Sequence, residues 1–99
     1  MSLFIMYSTY LRPVEEIHAE CLDEHVDYLQ KLIDEDVLFY GGRRDTHEGG
    51  VYIASADSKE AFEDIIQGDP FYKTGSIKYE IIAFDGHMVH PDIAKYLQE

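Results

Sequence analysis

Positive charge is scarce in this chain: 8 lysines and arginines stand against 20 aspartates and glutamates, a formal net charge of -12 at pH 7. No stretch gathers the basic residues into a stripe. Affinity for nucleic acid comes largely from cation–phosphate contacts, so that class of partner is disfavoured, and adsorption to an anionic membrane is disfavoured for the same reason. The acidity reads first as solubility. Cysteine is almost absent as well. Cys21 is the single one, so no intrachain disulfide can form. No segment approaches the ~20 apolar residues of a membrane span. Met1 to Tyr10 has neither a basic start nor an apolar run long enough for a signal peptide. The chain reads as cytoplasmic. Internal repeats and low-complexity segments are missing too.

What is present is the composition of a globular protein, with 45% hydrophobic residues, eight Tyr and five Phe. The 99 residues suffice for one domain and leave no room for a second core. A domain this small buries a limited share of its surface, so strands or faces shared with a second copy would add to its stability.

Leu3 to Tyr10 is apolar, aromatic and β-branched, with Phe4, Met6 and Ser8 on one face and Leu3, Ile5, Tyr7 and Thr9 on the other. It reads as a first, central strand ended by Arg12-Pro13. From Val14 to Glu35 the period becomes helical: Leu22, Val26, Leu29 and Ile33 recur at spacings of four, three and four. One helix, or two short turns before a main helix at Leu22, both fit. Val37 to Tyr40, followed by Gly41-Gly42, reads as a second strand. Val51 to Ala54 reads as a third, joined to the second by a polar, glycine-flanked loop as in a hairpin. Asp57 or Ser58 can cap a second helix with Ala61, Phe62, Ile65 and Ile66 as its apolar positions, and Gly68 is a natural stop. Asp69-Pro70-Phe71 reads as a break. Ser76 to Phe84 is a fourth strand, and the tail from Asp85 to Glu99 holds a short helix from Pro91.

The order strand, helix, strand, strand, helix, strand predicts an α+β domain of βαββαβ architecture over residues 1–99. Its core covers about residues 3–84. The two crossovers give a four-stranded antiparallel sheet with both helices on one face. The other face keeps apolar side chains with no element left to cover them, and a second subunit packing sheet on sheet would cover it. A homodimer or larger assembly is therefore expected.

Two residues attract attention for chemistry. His25 lies three residues from Leu22 and four from Leu29, at the border of the apolar face, where a histidine can exchange a proton near neutral pH. Asp69 follows a helix in an extended conformation, able to orient a histidine or to act as a base. Each also has a plainer reading: a helix-edge histidine bonded to a neighbour, and an ordinary Asx-Pro turn.

Taken with their surroundings, the two residues resemble the YCII-related family. The stretches that carry the resemblance are Asp23-Glu24-His25-Val26-Asp27-Tyr28-Leu29, Leu38-Phe39-Tyr40-Gly41-Gly42 and Gly68-Asp69-Pro70-Phe71, in that order on the expected elements. The resemblance implies a ferredoxin-like fold of the dimeric α+β barrel group, with a cleft in which His25 and Asp69 form a catalytic pair. It further implies proton-transfer chemistry on a small, often aromatic molecule. An Arg-Pro often precedes the histidine in that family. Here the dipeptide is Asp23-Glu24, which adds negative charge beside His25 and argues against an anionic substrate. Tyr7, Pro70, Phe71 and Tyr72 are taken as lining an apolar pocket, and Arg43 as supplying charge to it.

Other constellations are weaker. His87 and His90 are three apart but flanked by Gly86 and Pro91, so no metal site is expected. Cys21 is placed in packing rather than reactivity. Gly41-Gly42 and Gly49-Gly50 lack the following helix of a phosphate-cradling loop. No axial-ligand pattern supports haem, and no cofactor is expected. A ligand-binding module without chemistry, or a structural dimer subunit, would fit the same fold.

Overall fold

Alternation of apolar and polar residues in the strands builds a two-layer domain. A computed structural model describes residues 2–95. The elements are β1 (Ser2–Tyr10), α1 (Val14–Asp34), β2 (Leu38–Arg43), β3 (Gly50–Ala56), α2 (Lys59–Gln67), α3 (Pro70–Lys73), β4 (Ile77–Phe84) and α4 (Pro91–Ala94). The four strands lie in the order β2-β3-β1-β4, every neighbouring pair antiparallel. β1 is central, as its apolar character predicts.

The face of the sheet under the helices carries Phe4, Met6, Ala54 and Ile77, all buried. Phe4 stacks on Phe62 of α2 with ring centroids 5.1 Å apart, and Ile66 completes that cluster. A second cluster, Ile17, Cys21, Phe71 and Ile77, seats the first half of α1. Arg12 anchors the corner before it, donating to the Ser76 hydroxyl from Nε at 3.1 Å and pairing with Glu20 at 2.5 Å.

α1 runs as one element with a kink at Cys21, whose φ of -152° and ψ of 25° are non-helical. The kink changes which residues face inward. Ile17, Cys21, His25 and Leu32 are buried, while Val26 and Ile33 of the expected apolar stripe are 53% and 47% exposed. Two apolar rows lie side by side on this helix, and the smaller, histidine-bearing one packs on the core.

Elsewhere the differences from expectation are local. β2 continues through Gly41-Gly42 to Arg43 because both residues pair with β3. Ser58, rather than Asp57, caps α2, its hydroxyl accepting from the Ala61 N–H at 3.0 Å. Pro70, placed where a helix tolerates a missing N–H, starts the four-residue α3 in the expected break.

Among the described residues no helix lies over the second face of the sheet. A row of apolar side chains crosses all four strands in register: Tyr40 opposite Ile53, Ile53 opposite Ile5, Ile5 opposite Ile82. Tyr40 is 77% and Ile82 53% exposed. Among the described residues no helix is long and apolar enough to cross a membrane.

Phe62 fills the space between α2 and β1, so Phe62→Ala is expected to destabilise the fold by about 3–5 kcal/mol, read from urea denaturation midpoints. A loss under ~1 kcal/mol would mean that the helix layer collapses to fill the space.

Candidate active site

Burying an imidazole and a carboxylate requires that each find a partner, and here they find one another. His25 Nδ1 lies 2.7 Å from Asp69 Oδ1, and both residues are more than 90% buried. The same carboxylate oxygen accepts the Phe71 N–H at 2.9 Å. Among the described residues no buried side-chain nitrogen or oxygen lacks a partner.

Each residue of the Asp-Pro-Phe segment acts on His25. Pro70 disfavours the helical conformation at the residue before it, and Asp69 is extended at φ -68° and ψ 131°. Phe71 lies flat on the imidazole, centroids 3.6 Å apart and planes 4° from parallel. The Gly68 position must lack a side chain, because a Cβ would collide with the Tyr28 hydroxyl, which donates to the Ile65 carbonyl at 2.7 Å. That close approach brings α1 down onto the junction of α2 and α3.

The carboxylate accepts only, so Nδ1 carries a hydrogen, and in the neutral imidazole Nε2 is then the acceptor. Nε2 faces a cavity of about 440 Å³ between α1 and the strands β1, β2 and β3. The Tyr52 hydroxyl is its nearest polar neighbour, at 3.5 Å. Gly41 pairs with Tyr52 across the strands, and a Cβ there would stand 2.5 Å from the Tyr52 ring. The ring therefore lies over Gly41. Gly50 lies on the same face of the sheet, where a Cβ would stand 3.3 Å from the Tyr52 hydroxyl, so Gly41 and Gly50 add no side chain to the cavity floor.

Burial and, after it, the charge of Asp69 push the Tyr52 hydroxyl well above the usual tyrosine range, so it stays a donor. Burial also raises Tyr10, an effect that Arg43 nearby opposes. Among the described residues, Arg43 and Asp69 are the only side chains with a formal charge in the cavity wall. Nε2 can accept a proton from a bound molecule. The resulting imidazolium is then stabilised by the carboxylate on one side and by the aromatic face of Phe71 below. Tyr52 can donate to an oxygen on which negative charge develops.

Of the residues singled out from the sequence, His25, Asp69, Phe71 and Arg43 come together at this cavity. Tyr7 does not. It points to the opposite face of the sheet, with the Arg44 guanidinium 5.7 Å over its ring, because residues adjacent in a strand alternate. Pro70 and Tyr72 also lie outside the lining. Pro70 acts through Asp69, and Tyr72 packs against Tyr79 with centroids 5.7 Å apart. Asp23 and Glu24 are exposed and outside the cavity, so the charge expected beside His25 faces solvent. Sequence reasoning missed Tyr52, Ser8 and His18. Tyr52 was findable, since it sits two residues before buried Ala54 and so shares its face.

Among the described residues no three His, Cys, Asp or Glu side chains are grouped to hold a metal ion. The family profile of the YCII-related domain matches residues 2–85. No curated protein matches the sequence. Of solved structures, a similar one is 5-chloro-2-hydroxyhydroquinone dehydrochlorinase (TftG) from Burkholderia phenoliruptrix AC1100, in complex with 2,5-dihydroxybenzoquinone. It has a TM-score of 0.71 and 20% identity, over 86% of this chain and 95% of that one.

Tyr52 predicts a pH dependence. Above pH 10.0, the ordinary tyrosine value, the unfolded chain releases this proton while the folded chain keeps it, so stability falls as pH rises. One proton corresponds to about 1.4 kcal/mol per pH unit, and Tyr52→Phe is expected to flatten the alkaline slope by that amount in urea titrations. An unchanged slope would place the Tyr52 hydroxyl in water.

Proposed function

The chain belongs to the YCII-related domain family, and from that premise we propose that it is a small-molecule enzyme whose His25–Asp69 pair moves a proton on a ring-bearing substrate. The observation that carries the reading is the 2.7 Å pair with its free imidazole nitrogen facing a cavity. That volume lies within the ~300–1,000 Å³ of small-molecule sites. The fold shared with the dehydrochlorinase, described with a dihydroxybenzoquinone bound, supports hydroxylated rings as the first substrates to try.

In this reading Nε2 takes the proton of a hydroxyl or of a carbon next to a carbonyl. The electron pair left behind enters the ring system, and the charge comes to rest on an oxygen that Tyr52 hydrogen-bonds. The imidazolium then returns its proton to the product or to the departing group. Asp69 does not change protonation. It holds the imidazole in the tautomer that presents a lone pair, and it stabilises the cation between the two transfers. The mostly uncharged cavity wall suits a neutral substrate that becomes anionic only during reaction, with Arg43 at its rim.

A homodimer completes the proposal. The row Tyr40, Ile53, Ile5 and Ile82 is apolar, spans the sheet and has no cover of its own, so a second copy buries it face to face. The lone, buried Cys21 suits the reducing cytoplasm.

Chloride release from chlorinated hydroxyhydroquinones, and exchange of the ring hydrogens of 2,5-dihydroxybenzoquinone for deuterium, test the chemistry. His25→Ala is expected to slow turnover by ~10²–10⁴-fold, and Tyr52→Phe by ~10²-fold, with KM changing less. Wild-type turnover in His25→Ala would sink the reading, and binding without turnover would make the domain a ligand-binding module. Light scattering is expected to give twice the 11.5 kDa chain mass, and Ile53→Asp with Ile82→Asp to give monomers. A wild-type monomer at micromolar concentration removes the dimer.

A further inference from the structure

The cavity is larger than one ring needs, and part of its lining carries no polar side chain. Its volume of about 440 Å³ is roughly three times the ~150 Å³ that takes up a benzene molecule. Its polar side chains come from β1, β2 and β3, from Asp69, and from His18 and His25 of α1. Its apolar side chains include Leu22, Val26, Leu29 and Ile33 of α1 and Leu38 of β2, and from Val26 onward α1 contributes no polar side chain to it. The four helical residues extend over ~16 Å of helix, all on one side of the regular part of α1 after the Cys21 kink.

Single exposed apolar side chains are ordinary on a protein surface. A row of four, two exposed and two half-buried, all lining the cavity that His25 faces, is not. Val26 and Ile33 are about half exposed, although the helix has an inward face for its apolar residues and uses it for Ile17, Cys21 and Leu32. Leu22 and Leu29 stand three residues before and four after His25, so the row passes beside the imidazole. The acidic residues of the same helix, such as Asp23, Asp27 and Asp34, lie outside the lining. A group lying along the row meets hydrocarbon and no charge.

We propose that this row is a subsite for an uncharged apolar substituent, an alkyl chain or second ring, on the substrate whose reacting ring sits against His25. The substrate class is then a hydroxylated ring bearing an apolar side chain. This rests on the proton-transfer reading of the His25 site and adds to it a size and polarity requirement. A methylene fully removed from water strengthens binding by about fourfold, so substituent length should be read directly in affinity.

The test is calorimetric titration of 2,5-dihydroxybenzoquinone and its propyl and hexyl derivatives into the wild-type protein and into the double variant Val26→Ser, Ile33→Ser, with hexylbenzene as a probe lacking the ring oxygens. On a row that stays half exposed each carbon gains about twofold, so the hexyl derivative is expected to bind the wild type ~10²-fold more tightly than the parent, and the double variant should bring that ratio down towards ~10. Parent and hexyl compounds of equal affinity overturn the subsite and leave the proton-transfer reading standing. A hexyl advantage that survives both substitutions overturns it as well. Binding of hexylbenzene alone, with no affinity for any hydroxylated ring, fails the proton-transfer reading and with it the substituted-ring substrate. A wild-type dimer that the double variant turns into a monomer assigns the row to a second copy and overturns the proposal.

Discussion

Asp69 meets His25 across 44 residues of sequence, and the placement of α1 over the sheet depends on that contact. Neither group tolerates burial alone, since a buried donor or acceptor without a partner costs about 1–3 kcal/mol and more if charged. The helix must therefore arrive with its histidine row inward, and the junction of α2 and α3 must present a carboxylate there. Three further features serve the same meeting. Pro70 accompanies an extended Asp69, Phe71 covers the imidazole face, and the missing side chain at Gly68 lets Tyr28 close in. Packing and chemistry share one set of contacts.

That arrangement also accounts for the empty space. With the histidine row turned to the core, the larger apolar row from Leu22 to Ile33 is left over the gap between α1 and β2. The sheet below it offers glycine at Gly41 and Gly50 on the cavity side, so no side chain rises from those positions to fill the gap. Tyr52 crosses the floor beside Gly41 and brings a hydroxyl to the free imidazole nitrogen. The cavity is thus built from two choices that would look like defects in a close-packed core: an apolar row left half exposed, and small residues where β-branched ones would pack.

The two faces of the sheet divide the labour. One is committed to the helices through Phe4, Met6, Ala54 and Ile77, and its outer part under α1 forms the cavity floor. The other carries the row from Tyr40 to Ile82, whose members meet in register because every strand alternates with a period of two. Tyr7 shows how strict the division is. It neighbours Met6 and Ser8 in the chain, yet alternation sends it away from the cavity that Ser8 lines.

The order and class of the elements were legible in the residues themselves, because local hydrophobic period and turn chemistry are short-range signals: β1 in its run of alternating apolar residues, α2 between Ser58 and Gly68, the hairpin around its glycines. So was the pairing of His25 with Asp69, though through the order of short motifs and not through periodicity. The inward face of α1 was not legible, since two helical rows of similar apolar content compete and only the Cys21 kink and the Asp69 partner select between them. Tyr52, the glycine floor and the exclusion of Tyr7 are likewise decided by which strands pair and in what register. A chain determines which residues prefer helix, strand or turn within a few neighbours. The cavity exists because residues far apart in sequence must satisfy one another's buried polar groups, and only the tertiary structure fixes where that happens.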